Sequence, residues 1–268
     1  MNALRRVLRV YPTLLKIGFA EAVAYRAEML VWMLSMTMPL VMLALMAAMA
    51  RDAPVGRFDA AGFTSYYLAA LIVGQMTGAW VGWELMREIR EGSLSLRLLR
   101  PIHPLISFSA DSLAAIPMRA AFSVPLAVVL LLAAGPKSVT HDPAIAAMFV
   151  LSLVGAWLMN FAVSAIIGTL GLFIESSYNV FQVWMGGFMV LSGYLLPLEL
   201  FPPWLERLAR LTPYPYLRGL PVQLLCGLQG RESALRDLGI QWAWALGALL
   251  LLLALWRRGI KRFGAFGG

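Results

Sequence analysis

The run from Ile145 to Phe173, IAAMFVLSLVGAWLMNFAVSAIIGTLGLF, decides what kind of protein this is. It contains no charged residue, it is continuously apolar, and it exceeds the ~20 helical residues that cross a ~30 Å hydrocarbon core. A spanning β-strand needs a short segment of alternating polarity, and lipid offers no partner to an open backbone, so this run reads as a helix in a bilayer.

Working outward, the same test finds apolar runs at Met29–Met49, Phe63–Trp83, Tyr178–Leu196 and Gly239–Trp256, and a sixth at Leu113–Ala134 that contains Arg119 and two prolines. The predicted fold class is therefore all-α: a polytopic membrane protein with six transmembrane helices. The whole composition agrees, since 60% of the residues are hydrophobic, 13% are charged and the mean hydropathy is +0.76, against about a quarter charged in soluble domains.

The formal charge of +8 does not indicate nucleic acid, because the basic residues flank the spans. With six helices both termini lie on one side. That side holds Arg5, Arg6, Arg9, Lys16, Arg26, Arg87, Arg90, Arg97, Arg100, Arg257, Arg258, Lys261 and Arg262, the larger share, which places both termini in the cytoplasm. Residues 1–28 put Leu4, Val7, Leu8, Tyr11, Leu15, Phe19 and Ala22 at helical spacing, with Arg5, Arg9, Thr13 and Lys16 across the helix. This is an amphipathic interfacial helix on anionic headgroups. Residues 29–268 form a single six-helix transmembrane domain.

Within the second span Gly74, Gly78 and Gly82 recur every four residues, which predicts a small-residue face for close helix packing, inside the subunit or against another. Trp80 and Trp83 at one end and Tyr66 and Tyr67 at the other suit the aromatic interface belts. Residues 87–104 form the most charged stretch outside the termini and are amphipathic: a purely solvated loop leaves Leu94, Leu96, Leu98 and Leu99 with nothing to cover them. From Gly193 to Gly230 the chain is rich in proline and aromatics. Pro197, Pro202, Pro203, Pro213, Pro215 and Pro221 break short apolar pieces, and Trp204, Leu205, Leu208 and Leu211 share a face, so residues 197–230 are expected to dip into the outer leaflet as re-entrant helices.

Several chemistries find no support. No glycine-rich loop followed by Lys-Ser/Thr is present to cradle nucleotide phosphates. His103 and His141 have no companion ligands at metal spacing, and Cys226 is the single cysteine. Glu84, Asp111 and Glu175 lie near helix ends, where water, Arg87 or Arg119 can reach them, rather than at mid-membrane where ion-coupled carriers place charge. Gln75 and Asn160 are uncharged and read as interhelical hydrogen-bonders. An ATPase-independent carrier and a non-transporting assembly protein are the competing functions.

Residues Glu88, Ile89, Arg90, Gly92, Leu94, Leu99, Arg100 and Pro101 resemble the coupling segment of ABC-2 family export permeases. A second similarity is the run Leu191, Ser192, Gly193, Pro197, Leu198, Phe201, Pro202, Trp204, Leu205, continuing through Leu211, Pro213, Tyr214, Pro221 and Gly227. Tyr25-Arg26-Ala27 is similar to the family's opening; Ser95 departs from it, where aspartate is common. The resemblance implies a transport subunit, not an enzyme, in a bacterial cytoplasmic membrane. It implies a second permease subunit, identical or homologous, and two ABC ATPase subunits that carry the ATP and magnesium, with no cofactor in this chain. It further implies that Arg87–Pro104 docks on the ATPase through its arginines, Arg97 included, and its leucines, Leu98 included. Outward movement of an amphiphilic or hydrophobic substrate along the second and fifth helices is the implied activity.

Overall fold

The computed structural model describes residues 3–28, 31, 38–135 and 138–263. All regular structure among them is helical apart from one isolated bridge between Val55 and Phe58. The chain runs α1 (Ala3–Ala24), α2 (Met38–Met49), α3 (Ala60–Thr77), α4 (Val81–Glu91), α5 (Leu94–Leu98), α6 (Pro104–Ala114), α7 (Ile116–Ala134), α8 (Pro143–Leu170) and α9 (Ser177–Leu191). It ends with a 3-10 turn (Leu198–Leu200), α10 (Pro203–Arg210), α11 (Tyr214–Leu217), α12 (Gly219–Leu225) and α13 (Arg231–Gly259).

Among the described residues, three helical stretches are long and apolar enough to cross a membrane: Pro104–Val129, Pro143–Leu170 and Arg231–Gly259. Pro143–Leu170 matches the fourth expected span, and Arg231–Gly259 contains the sixth but starts eight residues earlier, at Arg231 rather than Gly239. The third begins nine residues earlier than the apolar run suggested, at Pro104 rather than Leu113, because α6 leads into α7 through a single turn at Ala115, with Pro117 in the first turn of α7. α2 is a shorter apolar helix; most of the N-terminal half of its expected span, residues 29–30 and 32–37, lies outside the described residues.

α8 is the central post, flanked by α13, α4, α12, α3 and α9. Its start is set by Asp142, whose Oδ1 accepts from the Ala144 N–H at 2.9 Å, with Pro143 at the first helical position. α3 starts in the same way, Asp59 Oδ1 accepting from Gly62 N–H at 2.7 Å. Trp157, Phe161, Ala162 and Ala165 of α8 pack with Val81 and Leu85 of α4, Phe108 of α6 and Leu252 and Trp256 of α13 in one apolar cluster. A second cluster gathers Phe58, Phe63, Tyr66, Tyr67 and Val73 around α3.

Tyr66 and Tyr67 are not belt residues. Both are fully buried, and their hydroxyls donate to the carbonyls of Gly193 and Leu195 at 2.7 and 2.8 Å, which fastens the proline-rich segment to α3. A phenol taken out of water needs such a partner, and two backbone carbonyls freed by the turn at Gly193 (φ 79°) supply it. α1 lies along α6: Tyr11 Oη and Ser109 Oγ are 3.1 Å apart, and Gly18 sits against Ala114. Leu8, Ile17 and Phe19 stay exposed beside Arg9 and Lys16 on its other side, a mixed apolar and basic surface.

Candidate functional site

The segment from Arg87 to Pro104 is a folded elbow rather than a loop. α4 ends where Gly92 takes a left-handed conformation (φ 74°) and its N–H returns to the Ile89 carbonyl at 3.3 Å, a geometry that favours glycine. Ser95 Oγ then donates to the Gly92 carbonyl at 2.7 Å, and the single turn of α5 brings Arg97 back beneath α4.

Arg97 holds the elbow closed. Its Nε donates to both carboxylate oxygens of Glu88 at 3.0 and 3.1 Å, Nη2 donates to Glu88 at 2.6 Å and Glu84 at 3.0 Å, and Nη1 donates to Asp111 at 3.2 Å and Ser107 Oγ at 3.1 Å. The guanidinium also lies 3.9 Å from the centre of the Phe108 ring. Burial on its own lowers the pKa of this guanidinium, yet the hydrogen bonds and charges of Glu88, Glu84 and Asp111 raise it above its ordinary value. One planar fork thus joins α4, α5 and α6, which a lysine, with a single point charge, cannot reproduce.

This geometry divides the residues expected to dock. Arg90, Arg100 and Pro101 are exposed, as are Leu96 (66%) and Leu99 (82%). Glu88, Ile89 and Leu94 are buried, Leu98 is partly buried, and the Arg97 side chain is 13% exposed. Glu88, Ile89 and Leu94 face into the protein, and Arg97 and Leu98 are turned in part toward its own helices. The amphipathic spacing was legible; which side faced inward was not, because Glu88 and Arg97 are charged yet turn inward to meet each other. Glu84 and Asp111 likewise pair with Arg97 rather than with Arg87 or Arg119.

Gly74, Gly78 and Gly82 do not share one helix face. The helix expected through all three is broken: α3 ends at Thr77, Gly78 is extended (ψ 137°), and α4 restarts at Val81. Arg119 of α7 stabilises the break, Nη1 donating to the Gly78 carbonyl at 2.5 Å, a cation at the negative end of α3. Gly82 does provide a close crossing: its N–H donates to Ser164 Oγ of α8 at 2.9 Å, and a Cβ there would strike the Ser164 carbonyl. Gly74 lies under the guanidinium of Arg218, whose Nη2 sits 2.7 Å from where a Cβ would be.

Beside the break, between α1 and the helix bundle, lies a cavity of about 700 Å³. Gln75, Gly78, Trp80, Trp83, Arg87, Asp111, Arg119 and Phe181 form its walls, and Glu21, Tyr25 and Glu28 at the end of α1 form its exposed rim. Arg119 and Arg218 escaped the sequence reading as site residues. An arginine inside an apolar run is the signal for Arg119; for Arg218, set among aromatics that stack on it (Phe188 at 5.3 Å and Tyr194 at 4.9 Å), the signal was diluted by the polar neighbourhood.

The proline-rich segment places Gly193, Pro197 and Pro221 in the interior, Phe201 and Pro213 at intermediate depth, and Pro202 and Trp204 on the surface. Trp204, Leu208 and Leu211 present an exposed apolar face on and just after α10. Pro203 opens α10 and Pro213 precedes α11, so the prolines do act as corners.

A family model described as "ABC-2 family transporter protein" matches residues 59–267. No curated protein matches the chain. The matched region includes the elbow, the cavity's bundle walls and the proline-rich segment, and it begins after α1 and α2.

Proposed function

This chain belongs to the ABC-2 transporter family, so it is a membrane component of a transport system rather than a catalyst, and we propose that it is the permease subunit of an ATP-driven exporter. The energy comes from ATP and magnesium bound on a separate pair of ATPase subunits. Two permease chains, identical or homologous, stand on them in a bacterial cytoplasmic membrane, with six spans each and both termini in the cytoplasm. The shorter helices α2, α3–α4 and α9 complete the six, and α10 to α12 dip into the outer leaflet.

The observation that carries this reading is the elbow. Its inner side is clamped by Arg97 while its outer side exposes Leu99, Leu96, Arg90, Arg100 and Pro101. An apolar centre rimmed by cations is the complement of a groove with an apolar floor and acidic edges. Because Arg97 ties α5 to both α4 and α6, a displacement of Leu99 is delivered to two helices together. α4 reaches the centre through the Gly82–Ser164 crossing with α8.

The test is purification of the chain in mild detergent with its neighbouring soluble proteins present. An ABC ATPase remains attached to the wild type and is lost from a Leu99→Asp, Arg100→Glu variant of unchanged thermal stability. Uphill solute movement by the chain alone in liposomes carrying an ion gradient would refute the proposal.

A further inference from the structure

Arg119 is 8% exposed, and among the described residues it makes no ion pair; its one hydrogen-bond acceptor is the Gly78 carbonyl. That leaves most of a five-donor fork on the wall of the 700 Å³ cavity. The carboxylate on the same wall, Asp111, is already engaged by Arg97 at 3.2 Å. Glu21 and Glu28 belong to the exposed rim. A cation inside an apolar helix bundle without a carboxylate is expensive and marks a site for a negative group.

Beside the polar Gln75 and Arg87, the aromatic part of the wall is suited to hydrocarbon. Trp83 and Phe181 stack edge to face at 6.4 Å, and Trp80 lies beside them at the start of α4. The volume falls within the range of small-molecule sites.

We propose that this cavity binds the head of a phosphate-bearing amphiphile, the phosphate on Arg119 and the upper part of its chain against Trp83 and Phe181. The inference rests on the transport reading and names the substrate class for it. The broken helix is what makes the site: an unbroken α3–α4 would carry Gly78 and its carbonyl past Arg119, and the guanidinium would have no fixed anchor. Anchored at one corner by Gly78, the fork is held still and its remaining N–H groups are aimed by the backbone.

The full chain is purified in a neutral detergent, without any ATPase, and ligand retention is read by native mass spectrometry. The probes are lysophosphatidylglycerol, a monoacylglycerol of the same chain length, and inorganic phosphate. Wild type retains lysophosphatidylglycerol but not the monoacylglycerol, and inorganic phosphate at the same concentration does not displace it. Arg119→Gln weakens retention on the order of tenfold, the worth of one charge-assisted hydrogen bond, and Arg119→Lys weakens it less. Trp83→Ala, at a half-exposed position, also weakens it, with folding checked by thermal unfolding. Equal retention of the monoacylglycerol, displacement by phosphate, or wild-type retention by Trp83→Ala together with whichever Arg119 variant folds overturns the proposal. Since no ATPase is present, failure to find an ATPase partner would sink the transport reading and leave this binding result standing.

Discussion

At the scale of single residues the two interior arginines on the α3–α7 side behave oppositely. Arg97 is surrounded by three carboxylates, whereas Arg119 meets a backbone carbonyl. Removing the guanidinium at 97 leaves Glu84, Glu88 and Asp111 crowded together with only the exposed Arg87 and Arg100 as more distant counter-charges. Arg97→Leu is therefore expected to lower stability by about 3 kcal/mol, the low end for breaking a buried pair because the Glu84 and Asp111 side chains are 35% and 31% exposed, and Arg97→Lys to recover only part of it; thermal unfolding in detergent measures both. Asp142 is a further case. Its side chain caps α8 and accepts from Arg231 at 2.6 and 2.9 Å, and that hydrogen bonding holds its carboxyl below the usual range. A carboxyl whose pKa is lowered on folding contributes stability above its unfolded pKa and loses it as pH falls through the folded one. Below about pH 4, where an unperturbed Asp protonates, the wild type is expected to lose this contribution progressively. Asp142→Asn removes that pH-dependent contribution, and melting curves between pH 3 and 7 check it.

At the scale of elements, the glycine positions separate into a tight crossing and a hinge. A Cβ on Gly82 collides with the α8 backbone, while one on Gly78 meets the Gly74 carbonyl at 3.3 Å and an arginine tip at 3.5 Å. Gly82→Ala is therefore expected to destabilise by about 1–3 kcal/mol, as overpacking does, and Gly78→Ala by less; chemical denaturation in detergent ranks them. Leu94 and Leu99 form a similar contrast on the elbow. Leu94→Asp buries a charge in a fully enclosed site and prevents folding, whereas Leu99→Asp leaves folding intact. The long apolar helices were legible from apolar runs, whereas caps such as Asp142-Pro143 at the start of α8 became visible only in the structure. The break at residues 78–80 was not, because the four-residue glycine repeat reads equally well as a continuous face; what decides it is Arg119, distant in sequence, and tertiary contact is invisible to periodicity.

For the whole molecule, the membrane-embedded all-helical architecture and the family were readable from hydropathy and a few spaced motifs, since both follow from composition along the chain. Which residues of Arg87–Pro104 face outward was not, because charge pairs can lie inside when several helices converge. Tyr66 and Tyr67 illustrate the same limit: aromatics near a span end suit lipid headgroups, yet here they bind the Gly193–Leu195 turn. Tyr66→Phe deletes one hydroxyl and leaves the Gly193 carbonyl without that donor; a loss of about 1–3 kcal/mol is expected, seen as earlier proteolysis within residues 193–230. The interruption between Thr77 and Val81 also sets how the body can deform. α3 and α4 are separate rods joined by three non-helical residues, so a tilt of α4 need not unseat the two tyrosine anchors on α3. A load taken up by α4 at the elbow therefore meets a joint before it reaches those anchors.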